Sequence, residues 1–179
     1  VTVTAAWNLP IGRNRALLGG ASRLLDTVVG GWQLSTFSTF QSGFPLAFSL
    51  IRGTLGAGGS RPNAAGDPSA GISGSIGSRL QRYFNTSAFS QPADFTFGNL
   101  SPRIGSVRAP GMNNVNFTLA KSFLLTEKVK LEFRAASYNL LNHPIFSAPN
   151  TQFGNPAFGT ISGQANFSRQ TEFWLRLAF

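Results

Sequence analysis

The fold class predicted by this sequence is all-β with antiparallel strands, and three observations predict it. Apolar and polar residues alternate with a period of two along five separate segments. Charged residues make up 12% of the chain, where a soluble domain carries about 25%. Tight connectors alternate with very long ones. The combination points to strands that cross a bilayer, so the prediction is an antiparallel transmembrane β-barrel fragment. It has about five strands in a meander and long extracellular loops.

The first segment sets Val1, Val3, Ala5, Trp7 and Leu9 against Thr2, Thr4, Ala6 and Asn8 before Pro10 and Gly12 stop the run. In the connector that follows, to Gly31, Ser22 precedes Leu24, Leu25, Val28 and Val29, a spacing that predicts a brief capped amphipathic helix. The chain carries no charge between Asp26 and Arg52, a stretch long enough for a helix to cross about 30 Å of hydrocarbon. Gln33, Ser35, Thr36, Ser38, Thr39, Gln41, Ser42 and Ser49 inside it, with Gly43 and Pro45, argue against that helix. Even positions instead carry Trp32, Leu34, Phe40, Phe44, Leu46, Phe48 and Leu50, with Phe37 as the odd exception, so a strand is predicted over Trp32 to Leu50.

The third segment sets Val115, Phe117, Leu119 and Phe123 against Asn114, Asn116, Thr118 and Ser122. The fourth sets Val129, Leu131, Phe133 and Ala135 against Lys130, Glu132, Arg134 and Tyr138. The fifth sets Phe173, Leu175, Leu177 and Phe179 against Glu172, Trp174, Arg176 and Ala178. A tilted strand needs about 9 to 11 residues to cross a bilayer, which these segments reach.

Leu124 to Lys128 is a tight turn, whereas Ile51 to about Met112 and Asn142 to about Arg169 are long, structureless-looking excursions rich in Gly, Ser, Pro and Asn. Outer-membrane barrels show this asymmetry, with short periplasmic turns and long outer loops. Placing Phe179 at the periplasmic end puts both long connectors outside and leaves the Val1 strand on an open edge. The Pro10 to Gly31 connector is then unusually long for the short-turn side. Trp7 and Trp32 fall at that same end, where an aromatic girdle would lie, core packing being the simpler alternative for each.

Composition removes much of enzymology. Without cysteine there is no disulfide, thiol catalyst or cysteine-held metal, and the single His143 leaves too few imidazoles for zinc. Asn142, His143 and Pro144 read as a turn. Glu132 and Glu172 are the nearest approach to an acid and base pair. Arg134 and Arg176 share their faces, so lumenal ion pairing, with Glu132 to Arg176 favoured, is the simpler role. The glycine runs Gly53 to Gly58 and Gly71 to Gly74 lack the Lys and Ser or Thr of a phosphate loop. No catalytic residue, cofactor or metal is expected.

The net charge of +9 is dispersed. Arg52, Arg61, Arg79, Arg82, Arg103 and Arg108 outnumber Asp67 and Asp94 in the first long excursion, which suits ordinary solubility or an outer surface facing lipopolysaccharide phosphates or an anionic ligand. Nucleic-acid binding is disfavoured because the rings fall with the aliphatics, whereas a stacking platform sets rings beside cations on one face.

A series of motifs adds to this reading. Gly31-Trp32-Gln33-Leu34-Ser35, Gln41-Ser42-Gly43-Phe44-Pro45-Leu46, Arg61-Pro62-Asn63 and Tyr83-Phe84-Asn85-Thr86-Ser87-Ala88-Phe89 follow one another. Ala109 to Asn114, Phe133-Arg134-Ala135, Tyr138 to Pro144, Phe153 to Gly159 and the closing Phe179 continue the order. The series resembles the C-terminal barrel region of TonB-dependent outer-membrane receptors of the Oar-like kind, over nearly the whole chain. The resemblance implies an active-transport receptor in the cell outer membrane of a Gram-negative bacterium. Residues 1–179 would be the C-terminal part of its barrel, with the plug domain and N-terminal strands absent.

Partners implied are outer-membrane lipid and lipopolysaccharide, the barrel-assembly machinery, TonB through the missing N-terminal part, and a transported ligand whose identity the residues do not reveal. The terminal strand, with Phe173, Leu175, Leu177 and Phe179, would be the barrel-assembly signal. Another outer-membrane barrel, porin or adhesin-like, or a secreted basic β-sandwich binding glycan or nucleic acid, are the alternatives.

Overall fold

The computed structural model describes residues 1–56 and 60–179 and divides them into two compact units. In chain order the elements of the first part are β1 (Thr2–Asn8), α1 (Arg23–Val29), β2 (Trp32–Gln41), β3 (Pro45–Leu46), β4 (Ser49–Leu50) and β5 (Asn63–Ala64). Then come α2 (Ile76–Gln81), a 3₁₀ turn (Thr86–Ala88), β6 (Phe89–Ser90) and β7 (Ile104–Arg108). The rest are β8 (Met112–Leu124), β9 (Lys130–Tyr138), β10 (Gln152–Phe153) and β11 (Gln170–Ala178).

One unit comprises Val1–Gln41, Asn113–Pro144 and Phe167–Phe179. Its framework is a five-stranded antiparallel meander in the order β1-β2-β8-β9-β11, the predicted order, with β1 and β11 as its edges. Alternation dictates the register, because slipping by one residue would exchange the faces. Trp7 pairs with Leu34, Phe123 with Leu131, Leu119 with Ala135, and Phe173, Leu175 and Leu177 with Ala135, Phe133 and Leu131. One face is therefore mainly apolar, interrupted by Thr36, Ser38 and Lys121, and the other carries Thr4, Ser122, Glu132, Arg134 and Arg176. The strands β2, β8, β9 and β11 hold 10, 13, 9 and 9 residues, and β1 holds 7. No helix is long and apolar enough to cross a membrane among the described residues.

The Ser22 cap is present: its Oγ accepts the Leu25 N–H at 3.3 Å and opens α1. The tight turn closes with Leu125 and Thr126 N–H donating to Val129 O.

Two expectations are corrected. The strand predicted over Trp32 to Leu50 ends at Gln41, and β3 and β4 pair with β7 and β10 outside the main sheet. The chain departs at Gly43, where an added Cβ would lie 1.6 Å from Ala109 O. Parity continues through Leu46, Phe48 and Leu50, but Leu46 and Phe48 enter a different core, and Leu50 is buried outside the main sheet. Second, the long excursions are folded. Ser42–Met112 and Ile145–Asn166 build the other unit around Leu46, Phe48, Phe84, Ala88, Phe89, Leu100 and Val107, with Phe153 and Phe158 packed against them. Phe84 is fully buried, edge-on to Phe48 at 5.0 Å and to Phe158 at 5.0 Å, and Phe48 stacks on Phe89 at 4.5 Å. Aromatic pairs in such offset and edge-to-face arrangements contribute beyond their buried area.

Candidate functional site

Two regions carry functional chemistry: the faces of the sheet, and a cleft in the loop unit. On the apolar face, Phe133 stacks on Phe173 with centroids 6.4 Å apart and meets Trp32 edge-on at 5.9 Å. Phe173 and Leu175 stay about 70% exposed and Phe179 is 97% exposed, so along the edge strand β11 this row packs against no protein core. Trp7 and Trp32 lie on this same face at the end where β1 finishes and β2 begins. Trp7 is exposed, whereas Trp32 is half-buried and its Nε1–H donates to Val28 O at 3.0 Å.

Lys121 was not marked by the sequence pattern, yet its odd position puts it in the apolar row between Leu119 and Phe123. It is 5% exposed, with Nζ over the Trp32 and Phe123 rings at 5.2 and 4.8 Å, donating to Val28 O at 2.8 Å. The signal that could have found it was parity alone.

On the polar face the register sets Glu132 opposite Arg176, as expected. The predicted ion pair itself is not formed: among the described residues the salt bridge is Arg52 to Asp94, 3.2 Å. Arg134 instead lies over the Trp174 ring at 5.9 Å. Arg176 is exposed, and a wet pair gains too little to hold two long side chains in one geometry. Glu132→Gln in the full-length protein is therefore expected to change folding free energy by no more than about 1 kcal/mol in urea titrations of the folded form. A loss of about 3 kcal/mol or more would mark a buried pair.

The residues that carry the family likeness act mainly as fold-building turns. Asn63 Oδ1 accepts Asn99 N–H while Asn99 Oδ1 accepts Ala64 N–H, at 2.9 and 2.7 Å. Asn139 is buried, donating through Nδ2 to His143 O and Phe167 O and accepting His143 N–H through Oδ1. This locks the turn expected at Asn142, His143 and Pro144. Asn155 Oδ1 accepts Ala157 N–H at 2.9 Å. Of the glycine run Gly53 to Gly58, Ala57 and Gly58 lie outside the described residues.

The cleft lies in the loop unit. One lobe, about 250 Å³, is walled by Ile76, Leu80, Pro110, Phe146 and Ile161. A second, about 260 Å³, is lined by Ser69, Ser106 and Arg108, and both include Arg79 and Tyr83. Burial raises the Tyr83 phenol above its ordinary pKa, against the opposing Arg79 charge, so it stays protonated and donates to Arg108 O at 2.8 Å. Asp67, beside the second lobe, accepts Ser69 N–H and Oγ–H at 2.8 and 2.7 Å, and these bonds hold its carboxyl below the ordinary range. Both acids of the first excursion are thus engaged, Asp67 by Ser69 and Asp94 by Arg52. Among the described residues no group of three His, Cys, Asp or Glu side chains gathers as a metal site.

An outward apolar band on crossing-length strands, a polar opposite face and loops at alternate ends are the features of an outer-membrane barrel wall. The family model for an outer membrane beta barrel domain matches residues 1–172. The chain belongs to the outer membrane β-barrel domain family. No curated protein and no solved structure is matched. Membership places this outer membrane β-barrel domain in the outer membrane of a Gram-negative bacterium.

Proposed function

We propose that this outer membrane β-barrel domain forms barrel wall and extracellular loops of a TonB-dependent transporter that takes up a ligand captured by the loop unit. The observation that carries the reading is that Ser42–Met112 and Ile145–Asn166 form a folded unit with its own aromatic core and a two-lobed cleft. A passive wall needs no such structure between its strands. The ordered motif series is the second support. Further strands and a plug, supplied by sequence upstream of Val1, would close the barrel, and the plug would contact TonB. Outer-membrane lipid, lipopolysaccharide and the barrel-assembly machinery are its remaining partners.

The test uses the full-length protein in its own cells. Site-specific cross-linking upstream of Val1 is expected to capture TonB, and deleting TonB to abolish ligand accumulation while leaving the protein in the outer membrane. A correctly inserted protein that never cross-links to TonB, with uptake or adhesion unchanged by the deletion, would overturn the proposal in favour of a porin or adhesin.

A further inference from the structure

The connector from Pro10 to Gly31 is longer than its position between two strands on the short-turn side requires, and it is closely built. Gly12 and Leu17 N–H donate to Leu17 O and Pro10 O, and Asp26 Oδ1 accepts Arg13 N–H at 2.6 Å, tying the turn to α1. Val28 O, at the end of α1, receives both Trp32 Nε1–H and Lys121 Nζ–H. Both donors belong to the apolar face, so α1 is pinned on the side of the sheet that faces lipid. It sits at the end marked by Trp7, Trp32 and the tight turn.

The connector nevertheless leaves a set of large apolar side chains exposed: Leu17, Leu18, Leu24, Leu25 and Val28. Leu24 and Val28 are four residues apart and share one helix face. Arg13, Arg15 and Arg23 are exposed beside them, and Asp26, already bonded to Arg13 N–H, is the one acidic residue from Pro10 to Gly31. Exposed leucines beside arginines, continuous with a lipid-facing band, match a helix lying in a membrane interface.

We propose that Pro10 to Gly31 is an interfacial anchor whose leucines enter the periplasmic leaflet of the outer membrane and whose arginines bind the phosphates of anionic phospholipid. Lys121 is its positioning residue, holding Val28 against the sheet where an unbonded ammonium on the lipid face would be strongly unfavourable. The inference needs the outer-membrane location and is independent of the transport reading.

The full-length protein is reconstituted in phosphatidylethanolamine vesicles holding either phosphatidylglycerol or phosphatidylcholine, each carrying a spin-label quencher. A polarity-sensitive fluorophore is attached at Leu24→Cys or, on the polar face of β1, at Thr4→Cys, and heat-modifiable gel mobility reports that the barrel has folded. The Leu24 label is expected to be quenched by lipid and the Thr4 label much less, with labelled phosphatidylglycerol the stronger quencher. Each arginine contributes about fivefold to the preference for an anionic surface, so Arg13→Gln with Arg15→Gln and Arg23→Gln should bring both lipids to equal quenching. Lys121→Met should shift the Leu24 label toward water in a folded barrel. A Leu24 label as wet as the Thr4 label overturns the anchor. Equal quenching by both lipids in the unaltered protein overturns anionic-phospholipid recognition, and stronger protection by added lipopolysaccharide than by phosphatidylglycerol overturns its assignment to the periplasmic leaflet.

Discussion

Phe84→Ala is expected to unfold the loop unit while leaving the barrel wall intact. Phe84 is fully buried and touches the rings of Phe48, Phe89 and Phe158. Truncating a buried phenylalanine removes about 3 to 5 kcal/mol, a large part of the 5 to 15 kcal/mol or so that holds an ordinary domain folded. Because the core of this unit is built from residues between Leu46 and Val107 with Phe153 and Phe158, the loss falls on the loops. Limited proteolysis of the full-length protein in outer membranes should cut the variant within Ser42–Met112, with heat-modifiable mobility retained. Phe95→Ala, at a site 87% exposed, should leave the digestion pattern unchanged. Equal resistance of the Phe84 variant would contradict an independent loop core.

Removing Phe179, or replacing it by Asp, is expected to lower the membrane-inserted fraction much more than Ala178→Ser. Phe179 follows β11 directly, extends the row of Phe173, Leu175 and Leu177, and is almost wholly exposed. At a strand end, near the interface, a charge on the lipid face costs only about 0 to 1 kcal/mol, or up to about fivefold in an equilibrium. A larger drop would therefore report a step other than bilayer partitioning, in line with the expectation that β11 serves as the barrel-assembly signal. Heat-modifiable mobility of outer-membrane fractions reads the outcome. Equal insertion of all three variants would contradict an assembly signal at this strand.

The legible part of the fold was the part with a period. β1, β8, β9 and β11 and the faces of their residues follow from alternation, because a slip of one residue would carry Leu131, Phe133 and Leu175 to the opposite face, and the meander order follows from the connector lengths. The Ser22 cap followed from its spacing to the leucines of α1. Alternation misled at Gln41, where Leu46, Phe48 and Leu50 keep parity while the chain leaves the sheet at Gly43. It was silent for the loop unit, since Phe84, Phe89, Phe153 and Phe158 pack from turns with no repeat between them. Seventeen phenylalanines in a chain with about five apolar strand faces was the available hint, because the loops hold many of them. Register could place Glu132 opposite Arg176, but exposure decides whether side chains pair, and exposure was not readable from spacing.

The odd positions of β11 are expected to face lipid and the even ones the lumen. The chain has no cysteine, so a single cysteine introduced at each position from Glu172 to Leu177 is unique within it and can carry a fluorophore in the membrane-inserted full-length protein. The expected result has a period of two: labels at Phe173, Leu175 and Leu177 quenched by lipid-borne quencher, and labels at Glu172, Trp174 and Arg176 quenched by a water-soluble one. Quenching that is uniform along the strand, or alternates with the opposite phase, would contradict it.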